Sequence, residues 1–139
     1  IQKKKKLYLF DTFSSYKVDE FGKITSNKSK FSAKSFEDTK KNFNKFKNIH
    51  FVKGDIFQTL SKYKKLKISL LHLDLNYAEA EVYALKIFWK NISPGGIIIL
   101  DDFAYIGRER QSYYISKLSR KLGFNILIVP SGQGIVVKN

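Results

Sequence analysis

The sequence predicts an α/β domain with a mostly parallel sheet and helices on both faces. Two observations carry that prediction. Short, nearly continuous apolar runs alternate with longer segments of helical periodicity. Acids follow these runs repeatedly, where a parallel strand would leave the sheet. The chain has 139 residues, 43% of them apolar, so one core is affordable and residues 1–139 read as a single domain.

Leu7-Tyr8-Leu9-Phe10 reads as a buried strand ending at Asp11. Residues 14–33 are polar and read as a long loop. A helix is expected from about Ser35 to Phe46, with Phe36, Phe43 and Phe46 on one face. Ile49–Val52 is a second strand, leaving through Lys53-Gly54-Asp55, and a short helix or turn follows over Ile56–Tyr63. Ile68–Leu73 is a third strand, ending at Asp74. The next helix runs from about Tyr77 to Lys90. Glu79 and Glu81 lie early and Lys86 and Lys90 late, which suits the helix dipole. Tyr77, Ala80, Ala84, Ile87 and Phe88 supply its buried face. Ser93-Pro94-Gly95-Gly96 reads as a turn, and Ile97–Leu100 as a strand ending at Asp101-Asp102. A helix over about Arg110–Leu122 stops at Gly123. Phe124–Val129 and Gly134–Val137 close the fold as two strands.

Composition removes several function classes. With no Cys, there are no disulfides, thiolate-bound zinc, iron–sulfur clusters or thiol nucleophiles, and a cytoplasmic setting fits. His50 and His72 are the two histidines, so a metal would be held mainly by oxygen, which suits Mg²⁺, Ca²⁺ or Mn²⁺. The apolar runs are too short to cross a bilayer, and Asp11 interrupts the run after the basic Ile1–Lys6 start, so no signal peptide is expected. The net charge is +14. Residues 1–70 hold 18 Lys and 6 acids (+12), and residues 71–139 hold 8 basic and 6 acidic residues (+2). That asymmetry admits a nucleic-acid or polyanion surface. The basic residues of the first half are all Lys, scattered among Asn, Ser and Phe, which favours a solvated surface instead.

In open α/β sheets, ligands bind at the carboxyl ends of strands. Asp11, Asp55, Asp74, Asp101 and Asp102 all fall there, five of the twelve acids. The bland reading is that Asp opens loops and caps helices, and it competes at each position taken alone. Asp11 can accept from a ribose diol and Asp55 from an adenine amino group. Asp74 and the Asp101-Asp102 pair meet if their strands are neighbours. Three close carboxylates raise one another's pKa values unless a cation or proton intervenes, and a hard divalent ion would resolve the conflict. His72 shares a sheet face with Asp74 and is a base, a ligand or a packed ring. Asn76 offers a neutral oxygen, Tyr77 a substrate contact or packing. Arg108 and Arg110 offer an anion clamp or a solvated loop. Trp89, Tyr113 and Tyr114 read as packing.

Four stretches in order carry a resemblance: Leu9-Phe10-Asp11-Thr12-Phe13, Phe51-Val52-Lys53-Gly54-Asp55, Leu73-Asp74-Leu75-Asn76-Tyr77, and Pro94-Gly95-Gly96 through Asp101-Asp102-Phe103. Together they resemble the macrocin O-methyltransferase (TylF/MycF-like) family of class I S-adenosylmethionine-dependent enzymes. The resemblance implies a Rossmann-like fold and O-methyl transfer to a sugar or other small hydroxyl. It implies cofactor binding by Asp11 with Thr12 and Phe13, and by Asp55 with Ile56. On the resemblance, Mg²⁺ would be held by Asp74, Asp101 and Asp102, and Asp74 would assist proton removal; His72 and Tyr77, read from their positions beside Asp74, complete the expected catalytic set. Asn76 departs from the family, which commonly has an acid there.

The resemblance also implies a strand and glycine-rich loop ahead of the Asp11 strand, between it and the Asp74 strand. Only Ile1–Lys6 precede it, and the chain begins with Ile, so the expectation is an N-terminally incomplete domain. The function then belongs to a longer protein, and the 139 residues alone are not expected to suffice for it. The competing readings are a polyanion-binding module and a non-catalytic remnant.

Overall fold

A computed structural model describes residues 5–13, 17–18, 24–26 and 36–139. Strand β1 (Leu7–Asp11) pairs in parallel with β4 (Ile49–Lys53), residue for residue from Leu7↔Ile49 to Asp11↔Lys53. Between them lie β2 (Lys17–Val18) and β3 (Ile24–Ser26), an antiparallel pair inside the segment expected to be all loop. The rest of that segment lies outside the described residues. Helix α1 (Phe36–Asn42) is shorter than expected, and Ser35 is not described.

After β4 come α2 (Ile56–Thr59) and a 3₁₀ turn over Leu60–Tyr63. Then follow β5 (Ile68–Leu73), α3 (Ala78–Phe88) and β6 (Ile92–Leu100). The chain closes with α4 (Glu109–Leu122), β7 (Leu127–Ile128) and β8 (Gly134–Val137). Gly123 ends α4 at φ 72°, donating its N–H to the Ser119 carbonyl at 2.8 Å.

These strands form a four-stranded sheet in the order β5-β6-β8-β7. β5 and β6 are parallel, but β8 is antiparallel to both β6 and β7, so the sheet is only partly parallel. The β1–β4 pair and the four-stranded sheet are not joined by a ladder. They approach through side chains instead. Lys5 Nζ donates to Ser69 Oγ at 3.3 Å, and the Phe10 ring lies 6.2 Å from that of Phe88.

Ser93-Pro94-Gly95-Gly96, expected as a turn, is the irregular start of β6. The reason lies far along the chain. Gly95 N–H donates to the Lys138 carbonyl at 2.7 Å, and Lys138 N–H returns to Gly96 at 2.9 Å. Gly96 is also pressed against backbone, since a Cβ there would lie 2.8 Å from the Ser93 carbonyl oxygen.

Helices cover both faces of the β1–β4 pair. Phe51 points toward Phe36 and Phe43 at α1, while Phe10 points toward Tyr63 and Phe88. One core cluster joins Leu60, Leu73, Leu85, Phe88, Ile98, Leu100, Ile115, Leu118 and Val136. The opposite face of the four-stranded sheet departs from the two-sided cover expected. Leu70, Ile97 and Val137 align across three strands there and are exposed. Among the described residues no helix is long and apolar enough to cross a membrane.

Ile98 is 0% exposed at the centre of that core. Ile98→Ala is therefore expected to cost about 2–5 kcal/mol, read from denaturant unfolding. Leu70→Ala, on the exposed face, is expected to cost under about 1 kcal/mol by the same measurement.

Candidate functional site

The acids gather at the carboxyl ends of the strands in two groups. The first belongs to β1 and β4. The Gly54 N–H donates to the Asp11 carbonyl at 3.0 Å, so the exits of the two strands are tied together. Gly54 adopts φ 138°, a backbone angle that L side chains rarely take, just before Asp55. Asp11 Oδ1 accepts from Phe13 N–H at 2.8 Å and Thr12 Oγ1 at 3.4 Å. Asp55 Oδ1 accepts from Phe57 N–H at 2.7 Å and so caps α2. One oxygen of each carboxylate thus has a local structural task, as the bland reading anticipated. Both side chains remain exposed. Phe13 turns its ring toward Phe36, 4.8 Å away, and Ile56 packs against the main core.

The second group belongs to β5 and β6, which are paired so that Leu73 lies opposite Leu100. Asp74 and Asp101 follow directly, and Asp101 N–H donates to the Leu73 carbonyl at 2.9 Å. The surrounding protein displaces water from Asp74, and Asp101 and Asp102 lie close by, so its carboxyl is raised above the ordinary range. Asp101 is held below that range by the Gln133 amide, which donates to Oδ1 at 2.7 Å, and then by His72 Nε2 at 3.2 Å. Asp102 Oδ2 faces Arg108 Nε at 3.4 Å. Asn76 Nδ2 donates to Asp74 Oδ1 at 3.2 Å, and Arg108 Nη2 donates to Asn76 Oδ1. Tyr77 lies just ahead of α3 with its ring edge-on to Phe57, 6.3 Å away.

Three residues were undervalued in the sequence. Arg108 is a partner of the acids, not a solvated loop residue. Gln133 comes from the β7–β8 connection, and no local pattern marks it. Glu81, read as a helix-dipole acid, is 3% exposed, and its Oε1 has no hydrogen-bond partner. Burial raises its carboxyl to about 7, with smaller contributions from Asp102 and Asp74. A hydrogen bond from the Leu75 backbone and the charge of Arg108 act in the opposite direction. A signal was present: Glu81 shares the stripe of Ala84, Leu85 and Phe88 at helical spacing. Arg110, meanwhile, pairs with Glu79 and links α4 to α3.

The donor type suits Mg²⁺, but the arrangement does not. Among the described residues no three His, Asp or Glu side chains converge as metal ligands. Each of the three aspartates is already engaged by a protein donor.

Comparison with known structures defines the class. The O-methyltransferase NovP superposes with a TM-score of 0.80 at 16% identity, over 99% of this chain and 62% of that one. The calicheamicin methyltransferase CalS11 gives 0.71 at 16% identity, over 95% and 60%. A putative caffeoyl-CoA O-methyltransferase from Staphylococcus aureus gives 0.60 at 14%, over 80% and 61%. The fold is therefore that of a class I, Rossmann-like methyltransferase, and the chain spans less than two thirds of each of these proteins. The family model of macrocin-O-methyltransferase (TylF) matches residues 2–126, and the chain belongs to that family. No curated protein matches it significantly.

Proposed function

We propose that the protein carrying this chain transfers a methyl group from S-adenosylmethionine to the hydroxyl of a small molecule, with a sugar as the favoured class. The observation that carries this reading is the placement of Asp11 and Asp55 at the tied exits of two adjacent parallel strands. Each keeps one oxygen in a local hydrogen bond, which orients the other. A ribose diol and an adenine amino group both present donors, and carboxylates accept them. The sugar assignment takes support from CalS11, described as a TDP-rhamnose 3'-O-methyltransferase.

The bound cofactor supplies an electrophilic methyl on sulfonium. Held by Asp11 and Asp55, it would give that methyl to the acceptor oxygen and depart as a neutral thioether, so the acceptor hydroxyl must lose its proton to the protein. Asp74 takes the hydroxyl proton, because its raised pKa makes it a better base than an ordinary carboxylate. His72, engaged by Asp101, flanks the same corner. Mg²⁺ belongs to this reading only if the donors around the three aspartates give way, so no step passes through it.

Calorimetric titration of S-adenosylmethionine into the folded protein tests the cofactor half. Asp11→Asn and Asp55→Asn keep an amide oxygen for the local bonds but remove the charge. Each is expected to weaken binding about tenfold or more, the worth of one charge-assisted hydrogen bond. Unchanged affinity in both would remove the assignment.

A further inference from the structure

We infer that Arg108 occupies the place of a cation in the acidic corner, and that the corner is closed to divalent metal ions while Arg108 is seated. The inference goes beyond methyl transfer and does not depend on it, since its readout is metal binding.

The argument starts from charge. Asp74, Asp101 and Asp102 crowd the ends of two neighbouring strands, with the Glu81 carboxyl buried close by. Such a cluster needs compensation. Arg108 supplies it through two contacts. Its Nε faces Asp102 Oδ2 at 3.4 Å, and its Nη2 donates to Asn76 Oδ1. Asn76 passes the link on, donating from Nδ2 to Asp74 Oδ1 at 3.2 Å. One guanidinium therefore ties both strand ends. Asp101 is satisfied separately by Gln133 and His72.

The identity of residue 76 is the second observation. An amide accepts from Arg108 with its oxygen and donates to Asp74 with its nitrogen at once. An aspartate there could accept from Arg108 but would have nothing to donate, and it would add a fourth charge beside Asp74. Asn76 also sits at φ 53°, a left-handed conformation that Asn tolerates better than most residues. The amide and the guanidinium thus form one device. A metal ion entering this corner must displace Arg108 from Asp102 and break the Asn76 bridge.

The test is calorimetric titration of Mg²⁺ into the native protein and into Arg108→Gln, with circular dichroism confirming that both are folded. The native protein is expected to show no saturable binding below about 1 mM, the weak end of hard-cation sites. Arg108→Gln is expected to gain at least about tenfold in affinity, and Mg²⁺ is expected to raise its Tm while leaving the native Tm unchanged. Tight Mg²⁺ binding by the native protein that is lost in Asp102→Asn would overturn the inference. So would a folded Arg108→Gln that binds no better than native. If Arg108→Gln does not fold, Asn76→Gly takes its place, since glycine accepts the left-handed backbone at this position. It removes the acceptor for Arg108 and the donor to Asp74 without adding a ligand, and is expected to gain Mg²⁺ affinity; unchanged affinity in the folded variant refutes the device.

Discussion

Asp74→Asn is expected to lower the rate of methyl transfer by about 10²–10⁴-fold, the usual worth of a positioned general base. Asparagine retains the size of the side chain and an acceptor for the Asn76 amide, but it cannot take a proton. The carboxyl it replaces is raised by partial desolvation and by Asp101 and Asp102, which makes it a stronger base than an ordinary carboxylate. Asp74 lies in the β5–β6 group of acids, apart from the β1–β4 pair proposed to hold the cofactor. Affinity for S-adenosylmethionine in the variant is therefore expected to stay within about twofold of native, well under the tenfold of one lost charged contact. Single-turnover methylation alongside cofactor titration separates the two effects. A variant that methylates at the native rate would remove Asp74 from the chemistry.

Glu81→Gln is expected to change how stability depends on pH. The Glu81 carboxyl lies at about 7 in the folded chain against 4.5 ordinarily, chiefly because burial penalises its charge. At pH values between these two, the folded chain holds a proton that the unfolded chain releases. The contribution of Glu81 is therefore fully present below about 4.5, falls as pH rises through about 7, and is flat above that. The loss is on the order of 3 kcal/mol. Glutamine does not titrate, so the variant gains on the native protein by about that amount between pH 4 and pH 8. Urea unfolding of both proteins across that range measures the difference. Parallel curves would place the titration elsewhere.

The strands were legible because their signal is local. Ile68–Leu73 appears as expected, and β1, β4, α3 and α4 fall within a few residues of their expected bounds. An apolar run too short for a helix and ended by a turn residue or acid has few other conformations available. The same locality placed Asp11, Asp55, Asp74, Asp101 and Asp102 at strand ends, and the ordered stretches around them identified the family. The sequence by itself determined the element types, the chain order and the carboxylate-rich edge.

Only the tertiary structure decided what those carboxylates face. Asn76 and Arg108 are separated by 32 positions, as are Asp101 and Gln133, and His72 meets Asp101 across 29. No helical or strand period reports such a pairing, because it depends on which strands become neighbours and how the loops between them return. The same reason turned Ser93–Gly96 from a turn into strand, through pairing with Lys138, and made the sheet partly antiparallel when β8 came back beside β6. Burial of Glu81 followed from the way α3 packs on the core, which periodicity hinted at and charge concealed. Local sequence sets what each residue can do. Long-range packing sets the dielectric and the partners, and so decides whether a carboxylate meets a proton, a guanidinium or a metal ion.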